Sequence, residues 1–319
     1  MLAEKGLSII PGGYSLASWL RSHISDMDYD LSARISKGLD NFKLLEEKTG
    51  KCVRGGQVLE FGTGMTLVDP IILYFLGAER VYTFDHITHV SEPAFRAALS
   101  QMPDHFSVMA RCFDVTEAQL NDKYNCLSQT GSLSELVDEL GITLLNYPVE
   151  SAKIEAETID IFFSESVLQR IPEGKLFDEV EAVSNLLRSD GAVFHRIDCK
   201  DINSQAAYYD RTLWPLYYLK YSTWFWNLIS SAKFNSQNRW RWSQFKDLHE
   251  SLGLQTVYTE CIAYEEDVER LQTFRVARQF SEINIEDLAV LSCKLVSAKG
   301  WSSEADNQPH SNKWKQWIN

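Results

Sequence analysis

A short strand that runs directly into a glycine turn constrains the fold of this chain more than any other feature. The stretch VLEFGTGMT, residues 58–66, begins with apolar residues, carries Glu60 and then reaches Gly62 and Gly64. An apolar, helix-like segment follows at 66–76. A strand, a glycine turn and a helix bring backbone N–H groups and the amino end of a helix against a ligand, and glycine allows a close approach. The motif therefore predicts a ligand-binding strand–helix unit.

The alternation of strand and helix continues along the chain. The stretch RVYTFD, residues 80–85, is typical of a second strand, and it ends in Asp85. Further strands are predicted at 142–147, 158–164, 192–198, 255–262 and 288–296, and helices at 14–50, 133–140, 176–187, 243–252 and 265–280. This order predicts an α/β fold with a doubly wound, mostly parallel sheet. Ligands of such sheets bind at the carboxyl ends of the strands, so we expect the site there.

The residues around the glycine turn limit the kind of ligand. A dinucleotide fingerprint has a third glycine, GxGxxG, and here that position is Leu67. A carboxylate at Glu60 would repel a pyrophosphate but suits a cationic ligand. Asp85 can accept hydrogen bonds from both ribose hydroxyls, a feature that proteins binding NAD share. These residues alone leave an ordinary tight turn and an NAD site open.

Four stretches in this order carry a family resemblance: LEFGTG, YTFD, IDIFFSESVLQRIP and LLRSDGAVFHRID. Together they resemble the class I S-adenosylmethionine-dependent methyltransferases over roughly residues 55–300. The resemblance implies a Rossmann-like, seven-stranded sheet with a reversed last strand. It also implies that S-adenosyl-L-methionine is the cofactor and S-adenosyl-L-homocysteine the product. On this basis we expect an N-terminal helical cap at 1–54, a methyltransferase domain at 55–300 with helical insertions at about 91–140 and 203–240, and a C-terminal tail at 301–319.

The resemblance also assigns cofactor residues by position. Around the glycine turn and at the ends of the next three strands, the expected contacts are Glu60, Gly62, Thr63, Gly64, Asp85, His86, Glu150, Ser151, Ser164 and Glu165. Among these, Glu150 would lie near the adenine amino group, and Ser164 and Glu165 near the transferred methyl group. The chain departs from the family pattern at two places. Thr66 replaces a frequent third glycine, and Gln169-Arg170 stand where Glu-His is common, so a base at that histidine position is not expected here.

Methyl transfer to a hydroxyl group needs a base, and the stretch FHRID supplies two candidates. His195 and Asp198 lie at the end of the predicted fifth strand, and histidine titrates in the useful pH range. We predict that they are catalytic. The alternative for His195 is a hydrogen-bonded interior histidine, and the alternative for Arg196 is a structural ion pair.

An aromatic segment follows the fifth strand and predicts the acceptor side. Residues 208–242 contain twelve aromatic residues, and Asn238, Arg239 and Arg241 lie among them. With Arg170 and Arg196, these three are the predicted acceptor contacts, and aromatic faces suit sugar rings or planar metabolites. A helical cover packed on the sheet is the alternative. The stretches FHRIDCKD and SQNRWRWSQF also resemble a bacterial subgroup often found with surface-polysaccharide genes, which points to a glycan acceptor, although Ile202 replaces the subgroup histidine.

Composition argues against other classes of function. The net charge of −13 disfavours a nucleic acid partner, because like charges repel at long range. The six cysteines form no CxxC pair, which argues against a zinc site and suits a reducing cytoplasm. Asp85, His86 and His89 could be read as a metal triad, but a ligand pair on one turn without a third well-spaced ligand is a weak signal. We find no secretory signal or membrane span, so we expect a cytoplasmic protein without a metal. A non-catalytic relative that binds S-adenosylmethionine or a partner, and an NAD-linked oxidoreductase, remain as alternatives.

Overall fold

A single eight-stranded sheet forms the centre of the protein. The computed structural model describes residues 30–85, 90–127, 131–146, 154–204, 213–229, 237–301 and 313–314. Its strands are β1 Gln57–Phe61, β2 Arg80–Asp85, β3 Ile142–Asn146, β4 Ile159–Glu165, β5 Leu187–Asp198, β6 Leu254–Ile262, β7 Ser292–Lys299 and β8 Lys313–Trp314. They lie in the order β3-β2-β1-β4-β5-β7-β6-β8.

The direction of the strands confirms the predicted sheet. Strands β3, β2, β1, β4 and β5 are parallel neighbours, whereas β7 is antiparallel to both β5 and β6. The first seven strands therefore form a mostly parallel, doubly wound sheet in which the last one is reversed. The short β8 pairs in parallel with β6 and adds the eighth strand. Because β7 inserts between β5 and β6, the ends of β1, β4, β5 and β6 share one edge, which we call the carboxyl edge.

Eleven helices of the described residues surround the sheet. They are α1 Leu31–Thr49, α2 Val68–Leu76, α3 Glu92–Gln101, α4 Phe106–Cys112, α5 Glu117–Leu127, α6 Leu133–Glu139, α7 Glu173–Ser184, α8 Thr223–Ile229, α9 Trp242–Ser251, α10 Glu265–Thr273 and α11 Ile285–Ala289. Short 3₁₀ helices lie at Met102–His105, Leu168–Arg170, Ile202–Ser204, Tyr217–Lys220 and Arg278–Phe280.

Each face of the sheet has its own apolar core. On one face, α1 and α2 bury residues such as Phe42 and Ile71 against Phe163 and Phe194. On the other face, α7 and α9 pack against the neighbouring strand residues, including Phe162. Successive strand residues point to opposite faces, so one position along a strand decides which core a side chain enters. Helix α1, from the predicted N-terminal cap, shares its core with the sheet.

A third, smaller core lies over the carboxyl edge, and we call it the edge core. It joins Trp214, Leu216, Tyr218, Leu219 and Trp226 of the aromatic insertion to Leu271, Phe280, Leu288, Ala289 and Leu291. The second group belongs to the segment that connects the end of β6 to the start of β7. Two insertions that are distant in the sequence therefore fold against each other.

The structure corrects two predicted elements in that connection. Instead of one helix at 265–280, α10 ends at Thr273, and Ala277 donates a backbone hydrogen bond to Leu219 of the aromatic insertion. The strand predicted at 288–296 begins at Ser292, because its first apolar residues enter the edge core. Packing against the distant insertion therefore determines where α10 ends and β7 begins, and a local sequence pattern does not contain that contact.

Candidate functional site

The two glycines of the first turn serve different purposes. Gly62 has a φ of +93° and donates its backbone N–H to the carbonyl oxygen of Phe84, at 2.7 Å. A Cβ atom on Gly62 would lie closer than 3.0 Å to Val167 Cγ2 of the β4–α7 connection. Gly64 also has a positive φ, +63°, but no other part of the described residues lies within 4 Å of its Cβ position. Gly62 thus allows two loops to approach, while Gly64 has space beside it with respect to the described residues.

Leu67 occupies the position of the third glycine in the dinucleotide fingerprint. Leu67 has a φ of +53° and immediately precedes α2, so it adopts the left-handed conformation that glycine favours. This conformation costs a residue with a side chain about 1–2 kcal/mol. The side chain is buried in the core of the α1 face, where a leucine contributes about 1.5–3 kcal/mol. Core packing therefore offsets the backbone strain.

Glu60 is buried beneath the glycine loop. The Thr83 hydroxyl donates to Glu60 Oε2 at 2.8 Å and lies 2.9 Å from the hydroxyl oxygen of Thr63. Burial, and next the negative charge of Asp69, raise the pKa of Glu60 well above its ordinary value. A cationic ligand at the loop would oppose this shift and favour the ionised carboxylate.

Asp85 ends β2 directly beside the glycine loop. Phe84 pairs with Phe61 in the sheet, and Asp85 itself is partly exposed. The loop and Asp85 therefore lie at neighbouring strand ends, as the sequence predicts. His86, Glu150 and Ser151 lie outside the described residues.

Ser164 and His195 point to the face opposite α1. Their Oγ and Nδ1 atoms are 2.6 Å apart, and both residues are fully buried. The His195 ring contacts Phe162 and His249, with centroids 4.6 and 4.9 Å away. Burial, and next the charge of His249, lower the pKa of His195 well below its usual value. This geometry matches the interior-histidine alternative and counts against His195 as a base and Ser164 as a neighbour of the methyl group.

Glu165, one residue further along β4, points to the α1 face and lies in a cluster of charges. Arg196 Nη1 lies 2.9 Å from Glu165 Oε1, and Lys37 of α1 binds the same oxygen. Asn41 Nδ2 donates to the other oxygen, Oε2, at 3.0 Å. Burial alone would raise the pKa of Glu165, but Arg196 and Lys37 hold it below its ordinary value. Glu165 is therefore an ionised, fully hydrogen-bonded carboxylate.

Helix α1 also reaches the start of α2. Arg34 binds the buried carboxylate of Asp69, with Nη1 to Oδ1 at 3.1 Å. A Cβ atom on Gly38, between these contacts, would clash with Ile72 and Asp69, so the two helices meet at close range. The sequence motifs do not identify Arg34, Lys37 and Asn41. The available signal was their three-and-four spacing on one face, with the polar Asn41 set in an apolar stripe.

Asp198 ends β5 on the same face as Arg196 and Phe194. Its Oδ1 accepts the backbone N–H of Lys200 at 3.1 Å, and the Lys200 ammonium lies 3.7 Å from Oδ2. The side chain is 13% exposed. Of the two predicted bases, Asp198 is the one that lies at the carboxyl edge and reaches solvent.

Two predicted acceptor contacts, Asn238 and Arg241, lie inside the protein. Asn238 Nδ2 donates to the carbonyl oxygens of Leu168 and Ile171, both at 2.8 Å. Arg241 is fully buried and donates to the Cys199 carbonyl at 3.0 Å and the Tyr218 hydroxyl at 2.8 Å. Asn238 and Arg241 therefore hold loops together, which corrects their assignment to the acceptor.

Arg239 and Arg170 differ in their exposure. Arg239 is buried over the rings of Trp226 and Phe280 and donates to the Tyr221 carbonyl oxygen, so it too belongs to the edge core rather than to an acceptor. Arg170 is exposed at the end of its 3₁₀ turn.

The aromatic insertion divides into buried and exposed residues. Trp214, Tyr218 and Trp226 are buried in the edge core, whereas Trp224 is 74% exposed and Phe225 is also exposed. The insertion is thus partly a cover, and part of its aromatic surface is available to a ligand.

Two further properties concern the described residues only. No group of three histidine, cysteine, aspartate or glutamate side chains there could hold a metal ion. None of the helices in these segments combines the length and the apolar character needed to cross a membrane.

Comparisons with known proteins give matches among solved structures. A methyltransferase from Mesorhizobium loti that depends on S-adenosylmethionine is 13% identical, with a TM-score of 0.41, and the match covers 82% of this chain and 99% of that one. A geranyl diphosphate methyltransferase solved with S-adenosylmethionine is 11% identical, with a TM-score of 0.42 and coverages of 82% and 85%. Phosphoethanolamine N-methyltransferase 2 of Haemonchus contortus is 13% identical, with a TM-score of 0.43 and coverages of 83% and 53%.

The sequence comparisons give no further relatives. No protein-family model matches the chain, and no curated protein does. The fold assignment therefore depends on the sheet itself: five parallel strands in the order β3-β2-β1-β4-β5, followed by the reversed β7 and then β6. With the glycine loop at the end of β1 and the acid at the end of β2, this chain has the Rossmann-like fold of the class I S-adenosylmethionine-dependent methyltransferases.

Proposed function

We propose that this chain is a methyltransferase that uses S-adenosyl-L-methionine and transfers the methyl group to an oxygen atom of a small-molecule or glycan-linked acceptor. One observation carries the proposal. The glycine loop, with Glu60 beneath it, and Asp85 lie at adjacent strand ends of a sheet with this strand order.

The residues at the loop fit such a cofactor. No described residue fills the space beside Gly64, so a ligand could approach the backbone there, and Thr63 follows Gly62 on the same turn. Glu60 suits the positive charges of the methionine end, because a nearby cation offsets the cost of ionising a buried carboxyl. Asp85 would accept hydrogen bonds from the ribose hydroxyls. His86, Glu150 and Ser151 remain predicted contacts.

The chemistry assigns different tasks to the cofactor and the protein. S-adenosylmethionine, when bound, supplies the methyl group and a good leaving group. The chain then has to position the acceptor and remove its proton. Asp198 is the proposed base, because it lies at the carboxyl edge and reaches solvent. His195, buried on the opposite face, would support the strand end through Ser164.

The edge core supports the proposed acceptor side. It lies beside the ends of β5 and β6, where Cys199, next to Asp198, donates its backbone N–H to Leu291. The aromatic insertion that contributes to it also exposes Trp224 and Phe225. Aromatic faces bind sugar rings and planar groups through their apolar surface. The resemblance to a bacterial subgroup often found with surface-polysaccharide genes also supports a glycan acceptor.

Calorimetry tests the cofactor assignment. We expect S-adenosylmethionine and S-adenosylhomocysteine to bind and NAD not to bind. Asp85→Ala should weaken binding about ten- to hundred-fold, the loss expected for hydrogen bonds that involve a charged group. Asp114→Ala, which removes a carboxylate that is 94% exposed, is the control. Tight binding of NAD alone would overturn the proposal.

A mass-spectrometric screen of metabolite pools tests turnover. Incubation with S-adenosylmethionine should produce species heavier by one CH₂ group. Asp198→Asn should reduce their formation about 10²–10⁴-fold, the usual contribution of a general base, while cofactor binding persists. Cofactor binding without any methylated product would favour the non-catalytic alternative.

A further inference from the structure

The charges around Glu165 do not balance. Two cations, Lys37 and Arg196, bind this one carboxylate, and Asn41 satisfies its second oxygen. Arg34 and Asp69 form a neighbouring ion pair. Lys37, Arg196 and Glu165 together carry one net positive charge, whereas the whole chain carries −13.

The surplus charge lies where water is partly excluded. Burial lowers the pKa of the Lys37 ammonium, although Glu165 opposes the shift. Glu60, on the same face, provides little compensating charge because burial and Asp69 raise its pKa. A partly buried charge without a full set of partners is costly, and an anion that completes the set would remove that cost.

Both cations have donors to spare. Within the part of the chain that the structure describes, Lys37 makes one hydrogen bond, and Arg196 uses only Nη1, for Glu165 and Ser166. Arg196 Nε and Nη2 thus remain for a ligand, and two guanidinium N–H groups can bind a carboxylate or phosphate side by side. The side chains of Lys37 and Arg196 are 36% and 21% exposed, so both can be reached from solvent.

We infer that Lys37 and Arg196 form a subsite for an anionic oxygen group, a carboxylate or a phosphate, at the carboxyl ends of β4 and β5. The inference rests on the proposed function for the ligands that reach this edge. Two of them could bring such a group: the methionine carboxylate of the cofactor, or an acidic group on the acceptor. The subsite would hold whichever group it binds beside Glu165.

Calorimetry with two cofactor analogues distinguishes the sources. S-adenosylhomocysteine keeps the methionine carboxylate, and 5′-methylthioadenosine lacks it. If the cofactor occupies the subsite, Lys37→Met should weaken S-adenosylhomocysteine about ten-fold or more and leave 5′-methylthioadenosine unchanged. Lys43→Met is the matched control, since Lys43 lies on the same helix but pairs with the exposed Glu47.

Inorganic phosphate tests the acceptor as the source. If the acceptor supplies the anion, S-adenosylhomocysteine should bind wild type and Lys37→Met equally. Phosphate should then raise the melting temperature of wild type and Lys43→Met, but not of Lys37→Met, both with and without S-adenosylhomocysteine. Arg196→Lys keeps the charge beside Glu165 but loses the planar fork, so it should lose the phosphate response while remaining folded.

One pattern of results would overturn the subsite. Equal affinities for S-adenosylhomocysteine in all variants, together with equal phosphate responses, would show that neither cation meets an anion. Failure of the proposed function has a different signature, because wild type would then bind neither cofactor analogue. The phosphate titration without cofactor still tests the subsite in that case.

Discussion

Replacing Gly62 with alanine should destabilise the protein for two separable reasons. The φ of +93° lies in the region that side chains disfavour, which costs about 1–2 kcal/mol. The new Cβ atom would also lie closer than 3.0 Å to Val167 Cγ2, and overpacking of this kind costs about 1–3 kcal/mol. We therefore expect the free energy of unfolding to fall by about 2–5 kcal/mol, the sum of the two effects.

Urea denaturation of a small set of variants separates the two effects. Gly64 also has a positive φ, but among the described residues nothing lies within 4 Å of its Cβ position, so Gly64→Ala should show the backbone cost alone. Val167→Ala removes the clashing atom, so in the Gly62→Ala background it should recover about 1–3 kcal/mol relative to the sum of the single changes. In the Gly64→Ala background it should be additive. Equal losses for the two glycine variants, or no coupling between positions 62 and 167, would refute the steric argument.

Three further predictions concern buried polar groups. Burial lowers the pKa of His249 to about 3, so between about pH 6.5 and this value only the unfolded chain protonates the His249 ring. Wild type should therefore lose about 2 kcal/mol of unfolding free energy between pH 7.5 and 5 relative to His249→Gln. A stability difference between the two proteins that does not change with pH would contradict this prediction. Arg241→Met should lower the melting temperature, since each buried acceptor left without a donor costs about 1–3 kcal/mol, whereas the exposed Arg188→Met should not. Cofactor binding should release a proton from Glu60, whose pKa burial raises. In calorimetry the binding enthalpy of wild type should therefore depend on the buffer, and that of Glu60→Gln should not. The same buffer dependence in both proteins would assign the proton to another group.

The strand pattern of the sheet could be predicted because its signals are local. The core strands are short apolar runs bounded by glycine or acidic residues, as in 57–61 and 80–85, and β2 has the bounds predicted for it. The connection from β6 to β7 could not be predicted in the same way. Its apolar residues pack against the aromatic insertion, and a sequence window does not contain both partners. The helix predicted from residue 66 begins at Val68 in the structure, because Leu67 has a left-handed conformation that the periodicity of the sequence does not indicate.

The candidate site was predictable where it depends on the backbone and less so where it depends on the direction of side chains. The glycine loop and Asp85 follow from strand ends, so their neighbourhood was foreseeable. His195 and Arg196 are adjacent in the sequence, yet one faces α9 and the other faces α1. The register of β5 against β4 determines which of the two residues faces α1, and a single sequence does not give that register. The contribution of Lys37 was hidden for a similar reason, since its partner lies 128 positions away.

The edge core has a consequence for how this protein could acquire a new specificity. Its two halves, 213–229 and 264–291, pack their apolar residues into one core, in which Phe274 contacts Trp214 and Tyr217. Grafting either segment alone into another protein would leave its core residues, such as Trp214 and Tyr218 or Leu288, without their packing partners. Under the proposed function, changing the acceptor preference of this chain would thus require both segments to be exchanged together. The two segments therefore form one structural unit, although they lie on either side of β6 in the sequence.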